Sequence, residues 1–381
     1  MNPLEPGDVE AFLSEYWQKK PLLIRSGMAP INPPLSADEL AGLACEEDVN
    51  ARLVLEHIDA GDNQTPWSVE YGPFDENRFA TLPSSNWSLL VSDVEQHVAE
   101  AVDLIDKFRF IPDWRIDDLM ISYAPPGGSV GPHTDAYDVF LIQLTGQREW
   151  QISTQYDNTL LKNTELSILE NFHAEHRWVL NPGDMLYLPP GVAHHGIALE
   201  DCMTASVGFR APAINTIVHD YADYIASKID DSELYRDPDL KPQTHPAEIS
   251  AQAIEKVKQI LLERLTIESG AVKQWLGEYC SDTRSRTPLE PEQQFISFTD
   301  FEHALQSHSL HPASTSRFLF SRDGEAAILF VDGDSHKVPP GFAETLCQRD
   351  IDVTRLLQEV DASTSRLLLE LYHKGSLVLD E

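Results

Sequence analysis

From the N-terminus to about Pro212, apolar positions fall in short runs separated by glycine and proline. Leu119–Ala124 precedes the loop Pro125-Pro126-Gly127-Gly128-Ser129, and Tyr137–Leu144 ends at Thr145-Gly146-Gln147. Arg148–Ile152 follows directly, Asp184–Leu188 runs into Pro189-Pro190-Gly191, and Thr204–Phe209 closes the set. Many short strands with Gly/Pro turns predict a sandwich or barrel rather than a βαβ fold. From about Ile214 to Cys280 the period becomes 3.6. Ile217, Tyr221, Tyr224 and Ile225 share one helical face, as do Ile254, Val257, Leu261, Leu262 and Leu265. Ser281 to Gln294 has the composition of a linker. Beyond it come a short helix after Thr299, a hairpin (Arg317–Arg322 and Glu325–Val331 around Asp323-Gly324), and helical stretches near Val353–Val360 and Arg366–Tyr372. The predicted class is mixed α and β. Its parts are a β barrel over 1–212, a helical region over 213–280, a linker over 281–294 and a winged-helix-like domain over 295–381.

Charge narrows the partners. With 28 Lys and Arg against 62 Asp and Glu, the net charge is −34 over 381 residues. Such a surface repels phosphate backbones and anionic lipids and attracts basic protein. No direct nucleic-acid binding and no membrane partner are therefore expected, and the winged-helix-like domain reads as structural or protein-docking. High acidity can also serve solubility alone. The four cysteines, Cys45, Cys202, Cys280 and Cys347, are widely spaced, as in proteins of a reducing cytoplasm. The opening Met1–Asp8 lacks the basic and apolar regions of a signal peptide, and no apolar run reaches the length of a membrane span. A cytoplasmic location is expected.

The candidate chemistry lies in a histidine–acid triplet. Three occur, His57-Ile58-Asp59, His133-Thr134-Asp135 and His173-Ala174-Glu175, where roughly two arise by chance in a chain of this composition. Polar, loop-like surroundings give the first and third no special role. His133 and Asp135 lie where a Gly-rich loop enters an apolar strand, and period two puts His133, Asp135, Tyr137 and Val139 on one face of it. The alternative is a hydrogen-bonded surface pair. The third metal ligand is expected at His194, directed by the Pro189-Pro190-Gly191 turn. His195 next to it would face the other way, as a supporting or structural histidine. Two histidines and a carboxylate with open positions are the ligand set of non-haem Fe(II) oxygenases.

Arg148 opens a strand, with Trp150 and Ile152 on its face. A buried arginine needs an anion, and a fixed guanidinium suits the far carboxylate of a dicarboxylate cosubstrate. An ordinary exposed arginine is the alternative, since Glu149 shows that charge is tolerated there.

The stretches Asp113–Ser122, Gly131–Phe140, Leu188-Pro189-Pro190-Gly191 to His194, Ser206–Pro212 and Tyr16–Pro21 resemble the bacterial ribosomal oxygenases. That family belongs to the JmjC group of cupin-fold, 2-oxoglutarate-dependent enzymes. The likeness is dense over about 110–212 and mostly architectural in the last ninety residues or so. It implies a JmjC/cupin double-stranded β-helix barrel, a helical homodimerisation region and a C-terminal winged-helix-like domain. It also implies Fe(II) at His133, Asp135 and His194, 2-oxoglutarate at Arg148, and O₂ as cosubstrate. The implied reaction is hydroxylation of an arginine β-carbon in large-subunit ribosomal protein sixteen, a basic substrate. Two departures stand out: Thr204-Ala205 where relatives often carry Asn-Tyr, and His195 where an acidic residue is common. Asp118, Met120 and Ser122 share a strand face by period two. On the barrel mouth, Asp118 would pair with a guanidinium, Met120 and Tyr137 would flank its aliphatic stem, and Ser206 would add a hydrogen bond. Two other functions are compatible with the same residues, an N-methyl-lysine demethylase and a non-catalytic metal-binding cupin that docks partners.

Overall fold

Along Asp138–Thr145, Phe140, Ile142 and Leu144 enter one apolar cluster while Val139 and Leu141 enter another. A strand buried on both faces needs a layer on each side. The computed structural model describes residues 1–58, 66–210, 212–265, 267–283 and 297–380. They divide into two units, Met1–Ala211 and Pro212–Glu381. The first runs α1 (Val9–Glu15), β1 (Leu22–Ile24), α2 (Ala37–Leu43), β2 (Ala51–Glu56), β3 (Trp67–Tyr71), α3 (Glu76–Ala80), β4 (Trp87–Val91) and α4 (Ala99–Asp106). It continues β5 (Ile116–Ala124), β6 (His133–Thr134), β7 (Asp138–Thr145), β8 (Arg148–Ser153), β9 (His176–Leu180), β10 (Met185–Leu188), β11 (Ala193–Ala198) and β12 (Cys202–Phe209).

These strands form two antiparallel sheets, β1-β10-β7-β12-β5-β4-β2-β3 and β6-β11-β8-β9. Val139, Leu141, Leu186 and Leu188 of the larger sheet pack with Trp150, Ile152 and Leu180 of the smaller, so the two sheets share one interior. This is the expected double-stranded β-helix. Phe12, Leu40, Leu104 and Phe108 cover the other face of the larger sheet, against Phe140, Tyr187 and Phe209. The purely strand-like reading of 1–212 is corrected here. The four short helices α1–α4 interrupt it, and α2 starts with a Ser36–Glu39 capping box.

A second correction concerns the expected single strand through His133, Asp135, Tyr137 and Val139. The chain leaves the smaller sheet after Thr134 and joins the larger one at Asp138. The cause is a buried polar anchor at the start of β7. Asp138 is fully buried and accepts hydrogen bonds from Tyr187 Oη at 2.5 Å, Gln18 Nε2 at 2.9 Å and Arg115 Nη2 at 3.4 Å. That carboxylate fixes β7 beside β10, while His133 pairs across from His194 on β11.

The start of β5 is held by Glu95, whose Oε2 accepts the Leu119 N–H at 3.0 Å. Burial, with the nearby Asp93 and Asp118 carboxylates adding to it, pushes the Glu95 carboxyl up from 4.5 to about 7. A folded-state value above the unfolded one means the native state holds the proton more tightly. The stability from this group is complete below pH 4.5 and is lost as pH rises through about 7. Glu95→Gln keeps an acceptor for Leu119 and removes the ionisation. Its melting temperature should match that of the wild type near pH 4.5 and exceed it at pH 8, a gain of up to about 3 kcal/mol. Parallel melting curves for both proteins across that range would refute the assignment.

The second unit contains α5 (Ile214–Ala226), α6 (Ala251–Arg264), α7 (Ser269–Ser281), α8 (Phe298–Ala304), β13 (Ser309–Pro312), β14 (Phe318–Asp323), β15 (Ala326–Val331) and β16 (Asp334–Val338). It ends with α9 (Pro340–Leu346), α10 (Val353–Gln358), α11 (Ala362–His373) and β17 (Leu377–Asp380). The Asp323-Gly324 hairpin is present, with Gly324 at a φ of 64° that favours glycine. A third strand, β16, and helix α9 extend the expected helix–hairpin–helix pattern around a core of Phe301, Leu329, Phe342 and Leu368. Helix α7 packs on β14, β15 and β16, and Trp275 Nε1 donates to Asp220 of α5 at 2.8 Å. Most of the expected linker lies outside the described residues. Among the described residues, no helix is long and apolar enough to cross a membrane.

Candidate metal centre

The antiparallel pairing of β6 with β11 sets His133 directly opposite His194. Their rings tilt against each other with centroids 4.2 Å apart. Each ring is aimed by its own backbone. His133 Nδ1 lies 2.9 Å from the Gly131 carbonyl, and His194 Nδ1 lies 3.0 Å from the Val192 carbonyl. A carbonyl only accepts, so Nδ1 carries the proton in both rings and Nε2 is left with a lone pair. Asp135 follows in the connection out of β6, where its carbonyl accepts the Gly191 N–H at 2.8 Å. One carboxylate oxygen lies 3.9 Å from His133 Nε2 and the other 3.5 Å from His194 Nε2. The three donor atoms fall within 4.8 Å of one another, the one such cluster of three or more among the described residues.

Electrostatics keep His194 ready to ligate. His194 is buried, and burial, reinforced by His133, lowers its pKa, while Asp135 opposes the shift. A neutral imidazole is the ligating form. His195 points away from the site, and its Nε2 lies 2.9 Å from Ser129 Oγ. Burial first, then the nearby His133 and Arg148, pushes it down to about 4.

Arg148 lies on β8 with Trp150 and Ile152, on the face that enters the shared interior. It is 5% exposed, and its Nε and Nη2 have no hydrogen-bond partner; nor has Trp150 Nε1. The Trp150 ring bridges the region, 5.8 Å from the Arg148 guanidinium carbon and 5.9 Å from the His194 ring. Three buried donors without an acceptor cost several kcal/mol in a bare protein, on the order of 1–3 kcal/mol each. An anion seated among them would remove that cost. The exposed-arginine alternative is therefore excluded by burial, and the residues present fit both a divalent metal and a dicarboxylate.

The remaining candidates gather on β5 and β12. Met120 sits opposite Ser206 in the β5–β12 register. Asp118 and Tyr137 both flank Gly208, where an added Cβ would lie 3.2 Å from Asp118 Oδ1 and 3.8 Å from the Tyr137 ring. Tyr137 is 41% exposed. Met120 also packs toward Val54, Trp67 and Leu90. The other triplets are not drawn into the site: His57 bonds Ser68, with Asp59 outside the described residues, and His173 joins no cluster.

The family model of the JmjC domain matches residues 103–217, and that of the AraC-like ligand binding domain matches 172–268. The ribosomal protein uL16 3-hydroxylase of Escherichia coli is 41% identical over 283 residues, 74% of each chain. The chain belongs to the ribosomal oxygenase family. A probable ribosomal oxygenase of Haemophilus influenzae is 38% identical over 271 residues, covering 67% of this chain and 64% of its own. The fold agrees along nearly the whole length. The structure of the E. coli ribosomal oxygenase YcfD in complex with cobalt and 2-oxoglutarate superposes with a TM-score of 0.82 at 35% identity, covering 98% of both chains. The expected family, fold class and oxygenase character are thus borne out, and the cobalt and 2-oxoglutarate of that relative are the ligand types that the donor set here fits.

Proposed function

We propose that this chain is an Fe(II)- and 2-oxoglutarate-dependent hydroxylase of ribosomal protein uL16, acting on an arginine β-carbon in the cytoplasm. The observation that carries the reading is the buried Arg148, with two unpartnered guanidinium nitrogens, on the interior face that also meets the His133–Asp135–His194 cluster through Trp150. His133, Asp135 and His194 would hold the metal. When bound, Fe(II) supplies O₂ activation coupled to decarboxylation of 2-oxoglutarate to succinate and CO₂. Arg148 would take the far carboxylate bidentately, with the Trp150 N–H as a further donor. Val139, Leu141, Ile152 and Leu188 line the interior with hydrocarbon and exclude water from the reacting centre. Asp118 would receive the substrate guanidinium, Met120 and Tyr137 its stem, and Ser206 a hydrogen bond. The net charge of −34 suits a basic ribosomal protein.

Incubating the iron-loaded protein with a uL16 peptide, 2-oxoglutarate and O₂ should give a peptide gain of about 16 Da, one oxygen atom, matched by succinate. Loss of a methyl group from a methylated peptide would indicate demethylation instead. No coupled succinate with any peptide would leave a docking protein.

The same reading includes a homodimer formed through α5 and α6. Neither helix has a buried residue, and on α6 Ile254, Leu261 and Leu262 are 58%, 52% and 62% exposed. So many aliphatic groups in water mark an interface. Sedimentation at micromolar concentration should show a dimer, and aspartate at Leu261 and Leu262 should shift it toward monomer. A wild-type monomer under those conditions would sink the dimer.

A further inference from the structure

The sequence gives Ser129 no role and reads His195 as a supporting or structural histidine, and the two join the metal-bearing segments. Ser129 is 2% exposed on the loop before β6. Its Oγ accepts the Gly131 N–H at 3.0 Å and lies 2.9 Å from His195 Nε2. A serine hydroxyl has one proton, and a backbone N–H is already donating to its oxygen. That leaves the hydroxyl proton free to go to His195 Nε2, and a second oxygen lone pair for the other imidazole tautomer, so the bond closes in either direction. The Gly131 carbonyl, at the other end of the residue that Ser129 holds, is the group that aims His133 at 2.9 Å. His195 is the neighbour of His194 on β11 and faces the opposite way. One hydrogen bond thus ties the strand of the buried ligand to the loop that orients the other.

The surroundings suit a rigid bracket. Ser88 Oγ donates to the Ser129 carbonyl at 3.2 Å. Gly127 N–H donates to the Ala198 carbonyl at 2.8 Å, and Ala198 N–H returns to Gly128 at 3.0 Å, lacing the loop to the end of β11. Gly131 sits at a φ of 76°, and Ile168 lies 2.9 Å from where a Cβ would be, so little room is left for the turn to rearrange.

We propose that Ser129 and His195 form a positioning pair that presets the direction of His133 and so sets metal affinity. This rests on the reading that His133, Asp135 and His194 bind the metal. Without the bracket the Gly131 peptide gains freedom, His133 loses its fixed acceptor, and part of the ordering needed for ligation must occur on binding. Partners of this kind, which orient a ligating histidine, are worth about 10- to 100-fold in metal affinity.

The test is Co(II) titration of the metal-free full chain, followed by Trp fluorescence and visible absorption, with melting temperatures recorded for every variant. His195→Phe keeps an aromatic ring beside Phe172 and removes the hydrogen-bonding nitrogen; His195→Gln keeps an amide that can donate or accept. We expect His195→Phe and Ser129→Ala each to weaken Co(II) binding about 10- to 100-fold at little-changed melting temperature. His195→Gln should stay within about threefold of wild type. The double variant should be no weaker than Ser129→Ala, because both changes delete the same bond. Should Ser129→Ala not fold, the His195→Phe and His195→Gln pair decides alone. Wild-type affinity in His195→Phe, or equal losses in His195→Phe and His195→Gln, overturns the pair. His133→Ala is the control: Co(II) binding as tight as in wild type would overturn the metal assignment itself.

Discussion

Alanine at His133 or Asp135 is expected to abolish 2-oxoglutarate-coupled hydroxylation while leaving the barrel folded. Three side chains form the donor cluster among the described residues, so losing one would leave two and a poorly held metal. A loss of roughly a thousandfold or more corresponds to a barrier higher by about 4 kcal/mol. The fold should tolerate these changes because the His133 and Asp135 side chains are 25% and 19% exposed, outside the close-packed core. His194 differs. It is buried beside Trp150, so His194→Ala removes a ligand and opens a cavity as well. Binding linkage provides a readout that is independent of turnover. At one hundred times its dissociation constant a metal stabilises the native state by about 2.7 kcal/mol. Co(II) should therefore raise the wild-type melting temperature and leave that of the His133→Ala and Asp135→Ala proteins unmoved. Near-normal activity in either variant would show the triad to be wrong. His195→Ala should be milder than His194→Ala, and equal losses would reverse the choice between the adjacent histidines.

The legible and illegible parts of this site differ in the range of the interactions that build them. His133 and Asp135 stood out because a triplet met an apolar strand, and His194 because Pro-Pro-Gly fixes a turn locally. Arg148 was visible by its phase with Trp150 and Ile152. The sheet switch between Thr134 and Asp138 was not visible. It depends on Asp138 meeting Gln18, Arg115 and Tyr187 from three distant segments, and period two cannot see a change of sheet. Helices α1–α4 have only five to eight residues each, too few turns to establish a 3.6 period. The Ser36-to-Glu39 spacing and the Asp75 cap of α3 were local signals among them. Ser129 gave no signal at all, since its partners are a glycine two residues on and a histidine 66 residues away.

Arg148 should control the requirement for 2-oxoglutarate and, through it, the stability of the protein. Losing one charge-assisted, bidentate contact costs roughly 2–5 kcal/mol, or about 30- to several-thousand-fold in affinity. Arg148→Ala is expected to raise the apparent 2-oxoglutarate constant over that range while Co(II) binding by His133, Asp135 and His194 survives. Arg148→Lys should recover part of it, since an ammonium restores charge but not the fork. The unpartnered Nε and Nη2 add a sign that activity alone would miss. In the cosubstrate-free protein a buried guanidinium with unmade hydrogen bonds destabilises the fold, and an unbranched, uncharged side chain of similar length relieves this. Arg148→Met should therefore melt at or above the wild type without 2-oxoglutarate and below it in saturating 2-oxoglutarate, where only the wild type gains binding energy. A crossing of the two melting temperatures with added cosubstrate is the signature of an anion seated on Arg148. If the order stays the same at every 2-oxoglutarate concentration, and titrations of wild type, alanine and lysine proteins give equal constants, the dicarboxylate is anchored elsewhere in the barrel.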